Sequence, residues 1–93
     1  MAEQASLKAT VYGLVQGVSF RAYTFHQALI LRLTGYTRNL PSGEVEVYAE
    51  GERARLEQLV ELLKEGPPLA RVDRVDVEWG QYTGNYSDFR VVR

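Results

Sequence analysis

Residues 11–21, VYGLVQGVSFR, decide the fold: an alternating strand pattern runs into a loop punctuated by Gly13 and Gly17 and closes on Arg21. Upstream, Leu7, Ala9 and Val11 alternate with Lys8, Thr10 and Tyr12, the period of a half-buried strand. Downstream, apolar residues recur at helical spacing from Phe20 to about Leu33, with Ser19 as candidate N-cap and Thr34-Gly35 where the helix should stop. A strand, a glycine loop and a helix start, in that order, suit a small anion. Glycine reaches φ > 0 without steric penalty, so successive backbone N–H groups can point into one nest. The unpaired N–H groups and positive dipole end of a helix start favour the same charge, and an arginine in the first turn adds a bidentate, charge-assisted grip. The candidate anion-binding donors are the backbone N–H groups of this loop and helix start, with Arg21 the candidate side chain. The alternative use of the same glycines is a tight strand-to-helix connection. The loop has neither the Lys-Ser/Thr ending of a P-loop nor the G-x-G-x-x-G of a dinucleotide fold, which points to a small anion.

Outward from this stretch, the chain repeats the two periods. Tyr36 to Leu40 runs into Pro41-Ser42-Gly43, and then Val45, Val47 and Ala49 alternate with Glu44, Glu46, Tyr48 and Glu50, an antiparallel hairpin with its turn marked. A second helix from about Glu52 to Glu65 carries Leu56, Leu59, Val60 and Leu63 on one stripe and stops at Gly66-Pro67-Pro68. Val75, Val77 and Trp79 then alternate with charged residues, Gly80 to Ser87 reads as a loop, and a short last strand places Phe89 and Val91 on one face. Residues 1–6 are small and polar and read as a frayed terminus. The order βαββαβ plus a terminal strand predicts an α+β, ferredoxin-like plait: an antiparallel sheet, both helices on one face, and a short extra C-terminal strand.

Composition bounds the function. A chain of 93 residues makes one domain, residues 1–93. With 45% apolar and 25% charged residues it lies in the ordinary globular range. A net charge of −1 offers no basic field for a nucleic-acid backbone. The absence of cysteine rules out disulfides, a thiolate nucleophile and Cys-ligated metals. No secretory segment and no run of about 18 apolar residues is found, so neither nucleic acid nor membrane is expected as a partner, and the cytoplasm is the expected location.

VYGLVQGVSFR and GYTRNLPSGEVEVYAEG, which together span residues 11–51, resemble the two signature segments of the acylphosphatases; GPPLARVDRVDVEW and the closing F-R-V-V resemble that family's second half. The resemblance implies an enzyme that needs no metal or cofactor and hydrolyses the carboxyl–phosphate anhydride of acyl phosphates, releasing a carboxylate and inorganic phosphate. It places Arg21 on the family's phosphate-binding arginine, the backbone of Val15 to Phe20 on its phosphate cradle, and Asn39 on the asparagine that positions the attacking water. The substrate is then a small-molecule acyl phosphate, with phosphate, or sulfate in its place, as product and inhibitor. The same segments occur inside larger maturation proteins, so a non-catalytic phosphate-binding or assembly module is the competing reading; the short stretch before Leu7 and the end at Arg93 suggest a stand-alone chain.

Such chemistry makes few demands on side chains. The leaving carboxylate has a conjugate acid of pKa about 4 and departs without a general acid. Preorganised donors and one guanidinium stabilise the charge on the transferring phosphoryl group. Asn39 also fits the first position of a turn led by Pro41, while Gln16 is placed either to contact a ligand or to cover the loop, and Ser19 either to cap the helix or to reach phosphate. His26, the single histidine, is left out of the site, and the set Glu44, Glu46, Glu50 reads as a solvated strand face too loose for a metal cage. Two departures from the family pattern stand out. Arg32 fills a position usually held by glycine, and the first helix carries a second apolar stripe, Ala22, Phe25 and Leu29, opposite its inner stripe of Thr24, Ala28 and Leu31. The second stripe predicts self-association or partner binding through Phe25 and Leu29.

Overall fold

The computed structural model describes residues 2–93. The elements are β1 (Gln4–Leu14), α1 (Phe20–Ile30), β2 (Thr34–Asn39), β3 (Val45–Glu52), α2 (Arg53–Glu65), β4 (Arg71–Gln81) and β5 (Phe89–Val92). They form one five-stranded sheet of order β4-β1-β3-β2-β5, the ferredoxin-like βαββαβ plait with its added strand. The first four strands pair antiparallel, whereas β5 runs parallel to β2, so the sheet is mixed rather than antiparallel throughout. Alternation shows which face a short strand presents, but its neighbour is set by where the preceding loop delivers it.

The helix-facing side of the sheet carries Leu7, Ala9 and Val11 from β1 and Val45, Val47 and Ala49 from β3, all buried, against Phe20 and Ala28 of α1 and Leu56, Leu59 and Leu63 of α2. The strand period of two and the helical stripes therefore meet in one core. Residues 4–6 are not frayed. Ala5 pairs with Gly51 on one side and Gln81 on the other, and both Ala5 and Ser6 are buried. Their small side chains give no apolar signal, yet they fill a strand flanked on both edges.

The first helix ends at Ile30, short of the expected Leu33. Arg32 turns left-handed at φ 58, and Leu33 N–H donates to the Ala28 carbonyl (2.9 Å) while Arg32 N–H donates to the Leu29 carbonyl (3.1 Å). This pair of bonds is the Schellman arrangement, with arginine in the place that favours glycine. Of the proposed outer stripe, Phe25 packs against the core and its ring lies 6.5 Å from that of Phe89. Ala22 and Leu29 (51%) of that stripe are exposed, as is the neighbouring Ile30 (72%).

The opposite face of the sheet is not a solvated acidic surface. Glu46 and Glu50 are 7% and 1% exposed. Glu46 accepts from Tyr36 Oη (3.1 Å) and Arg38 Nε (2.8 Å). Glu50 accepts from Tyr48 Oη and from the loop joining β4 to β5, through Thr83 N–H (3.2 Å), Thr83 Oγ1 (2.8 Å) and Gly84 N–H (3.0 Å). Tyr86 of the same loop lies over Tyr48 and Tyr36, with ring centroids 5.2 and 6.2 Å apart. Burial works to push the Glu50 carboxyl up, but the hydroxyl and N–H donors outweigh it and hold the group below its ordinary value.

Candidate active site

Three elements end at the same edge of the core. β1 runs out at Leu14, α1 starts at Phe20, and β2 ends at Asn39. Between them lies a cavity of about 230 Å³ lined by Val15, Gly17, Ser19, Phe20, Arg21, Ala22, Asn39 and Val91. The fold thus brings Arg21 and Asn39, eighteen positions apart in sequence, to one small cavity.

The loop supplies backbone donors. Gly17 (φ 74) and Ser19 (φ 65) are left-handed with Val18 between them at negative φ, the alternation that turns neighbouring N–H groups into one concavity. Among the described residues, no turn or loop hydrogen bond is donated by the backbone N–H groups of residues 15–19. Ser19 stands at the N-cap of α1, but its left-handed backbone differs from the extended N-cap norm and its hydroxyl makes no capping bond. The expected cap is therefore absent. Gly13 serves a different purpose from Gly17. It sits at the register shift between β1 and β4, where a Cβ would fall 2.1 Å from the Arg71 carbonyl oxygen.

The remaining loop side chains face away from the cavity. Val18 packs against the core. Gln16 Nε2 donates to the carbonyls of Leu40 (2.8 Å) and Glu44 (2.9 Å), so its amide staples the loop to the β2–β3 turn. That turn is closed by Leu40 N–H donating to the Glu44 carbonyl at 2.8 Å.

Arg21 Nη1 donates to the Val92 carbonyl at 3.1 Å. Sequence reasoning missed this neighbour and the wall formed by Val91, because two valines in a four-residue strand carry no chemical signal. On β2, Thr37 and Asn39 share the helix-facing side with Val47 and Val45 of β3. Thr37 Oγ1 donates to the Glu46 carbonyl (3.0 Å), which fixes the strand beside Asn39. Among the described residues, Asn39 Oδ1 is the buried side-chain oxygen or nitrogen that lacks a protein partner. A buried acceptor left bare costs about 1–3 kcal/mol, so this oxygen is set to receive a hydrogen from something entering the cavity. The turn role of Asn39 does not employ it.

Residues 7–91 match the family model of the acylphosphatases. Across 86 residues the chain is 51% identical to an acylphosphatase of Dehalococcoides mccartyi, covering 91% of this chain and 94% of the relative. It is 53% identical over 78 residues to an acylphosphatase of Thermus thermophilus, covering 84% and 89%. The solved structure of an acylphosphatase from Coxiella burnetii superposes with a TM-score of 0.91 at 44% identity, covering 97% of this chain and 94% of that one. With its fold and nearly its full length shared with these proteins, the chain belongs to the acylphosphatase family, hydrolases that act on the acid anhydride of acyl phosphates.

Proposed function

We propose that this chain hydrolyses small acyl phosphates without a metal ion, holding the phosphoryl group with Arg21 and the backbone N–H groups of Val15, Gln16, Gly17, Val18, Ser19 and Phe20, and placing the attacking water with Asn39. The observation that carries this reading is the unpartnered, buried Asn39 Oδ1 in the cavity that Arg21 also lines. A water O–H donating to that oxygen has its lone pairs turned toward the cavity, where a phosphorus atom held by the loop would sit. Amide oxygen is too weakly basic to take a proton at neutral pH, so Asn39 orients and does not deprotonate.

The step balances without further groups. Water oxygen bonds to phosphorus as the bond from phosphorus to the acyl oxygen breaks, its electron pair leaves on the carboxylate, and the water proton passes to a phosphate oxygen. Arg21 and the loop donors meet the charge spread over the equatorial oxygens, and the left-handed turn at Ser19 sets donors in place before the reaction begins. Phosphate, as product, and sulfate, as its analogue, bind the same donors as inhibitors. Because acyl phosphates are anions that cross a bilayer poorly, the enzyme works where they are made, and the cytoplasm is the proposed compartment.

The test is release of carboxylate from a simple aromatic acyl phosphate with a chelator present. Arg21→Ala and Asn39→Ala, checked for folding, should each lower kcat/KM about 10²–10³-fold, the usual loss on removing one transition-state donor. The larger rise in KM belongs to Arg21→Ala and the larger fall in kcat to Asn39→Ala. Inhibition by the chelator contradicts metal independence. An inactive wild type that still binds phosphate through Arg21 identifies a binding module instead.

A further inference from the structure

The loop of residues 82–88 joins the two outermost strands, β4 and β5, which lie at opposite edges of the sheet. It must therefore cross β1, β3 and β2. Four inter-strand spacings of about 4.8 Å come to roughly 19 Å, while the eight steps from Gln81 to Phe89 reach at most about 26–29 Å. The loop must also rise over side chains, so little slack remains. It behaves as a strap, and its polar anchorage near mid-span among the described residues is a carboxylate: Glu50, 1% exposed on the central strand β3, accepts from Thr83 N–H, Thr83 Oγ1 and Gly84 N–H.

Beyond this anchor the strap leads to the site. Tyr86 packs on Tyr48 and Tyr36, and Gly35 N–H donates to the Asp88 carbonyl at 2.9 Å. β5 then lies along β2 with Val91 opposite Thr37 and Val92 opposite Arg38, which places Val91 in the cavity wall and the Val92 carbonyl against Arg21.

We propose that Glu50 is a positioning residue for phosphate binding: by latching the strap at mid-span it sets the place of β5, and through the Val92 carbonyl it sets the orientation of the Arg21 guanidinium. The latch acts from the face of the sheet opposite the cavity and touches no reacting atom. It rests on the reading of Arg21 as the phosphate-binding side chain. A latch of this kind governs how well the phosphoryl group is held and leaves the chemistry of the bound substrate largely alone.

The experiment measures kcat, KM for an aromatic acyl phosphate, and the inhibition constant of inorganic phosphate, in the wild type, Glu50→Gln, Thr83→Val and Arg21→Ala, each checked for folding by circular dichroism. Glu50→Gln should raise KM and the phosphate inhibition constant together by about 3–10-fold with kcat within about twofold, since donors to a charged acceptor are the stronger ones. Thr83→Val, at an exposed site, removes the Oγ1 bond to Glu50 together with the bond Oγ1 accepts from Asn85 N–H, and should raise both about 2–3-fold. Arg21→Ala should raise both by more than about tenfold. If Glu50→Gln does not fold, Thr83→Val decides. A folded variant of either residue with wild-type KM and phosphate inhibition overturns the latch, as does a fall in kcat alone, which signals only a smaller active fraction. If Arg21→Ala moves both constants and the strap variants do not, the latch fails while the reading of Arg21 stands. Wild-type constants in Arg21→Ala overturn both.

Discussion

At the scale of single residues, backbone strain and side-chain contact separate cleanly. Arg32 holds φ 58 at the end of α1, a conformation costing a residue with a Cβ on the order of 1 kcal/mol. Arg32→Gly should raise stability by about that amount, read as a melting temperature higher by roughly 4–8 °C for a domain of this size, with activity unchanged because Arg32 lies outside the cavity. The two loop glycines should respond differently to alanine. At Gly13 the new methyl meets the Arg71 carbonyl at 2.1 Å, whereas at Gly17 nothing lies within 4 Å and only the φ of 74 is unfavourable. Denaturant unfolding should show Gly17→Ala losing about 1–2 kcal/mol and Gly13→Ala losing more than about 2 kcal/mol. Asn39 illustrates what sequence reading reaches at this scale. The family resemblance pairs it with Arg21, and the structure sets both on one cavity, but the bareness of its oxygen was not legible, because satisfaction of a polar atom depends on neighbours brought from other elements.

Between elements, two polar contacts fix geometry that hydrophobic patterning leaves free. Gln16 ties the β1–α1 loop to the carbonyls on either side of the β2–β3 turn. Gln16→Ala should cost about 1–2 kcal/mol in denaturant unfolding, since two side-chain hydrogen bonds are lost while each carbonyl keeps its backbone donor, and Gln16→Glu should cost more, since it sets a carboxylate against two carbonyl oxygens. The second contact is Glu50 with the strap. Tyr48, Thr83 and Gly84 face this carboxyl and donate to it, and they hold it below its ordinary value against the opposing effect of burial. A carboxyl depressed in the folded state contributes stability that is fully present above the unfolded value, about 4.3, and is lost as the pH falls through the lower folded value. The stability of the wild type should therefore drop more steeply than that of Glu50→Gln as the pH is lowered from about 5 into the acid range, measured as the urea midpoint at each pH. Sequence alternation had assigned Glu46 and Glu50 to solvent. The period of two separates the faces correctly, yet it cannot report that a later loop returns to cover the outer one, with Tyr86 laid on Tyr48 and Tyr36.

For the whole molecule, the βαββαβ order was legible because each core strand and helix buries one stripe, and a period of two or 3.6 is visible in any such stripe. The parts that were not legible are those where burial comes from both sides or from far away. Ala5 and Ser6 looked peripheral because small residues suffice in a central strand, and Phe25 looked like a surface residue because its partner, Phe89, belongs to the last strand. The parallel pairing of β5 likewise follows from the strap's path and from no local pattern. The β1–β4 ladder has a further consequence. It joins Ala5 to Gln81 and Val11 to Val75, partners drawn from near opposite ends of the chain, so the sheet cannot close until almost the entire polypeptide has been gathered into one loop. Entropy lost before such distant contacts form slows the search for the native state. Stopped-flow refolding should accordingly be sluggish for a domain of this length, in the range of milliseconds to seconds, with the rate-limiting event being the meeting of the two ends.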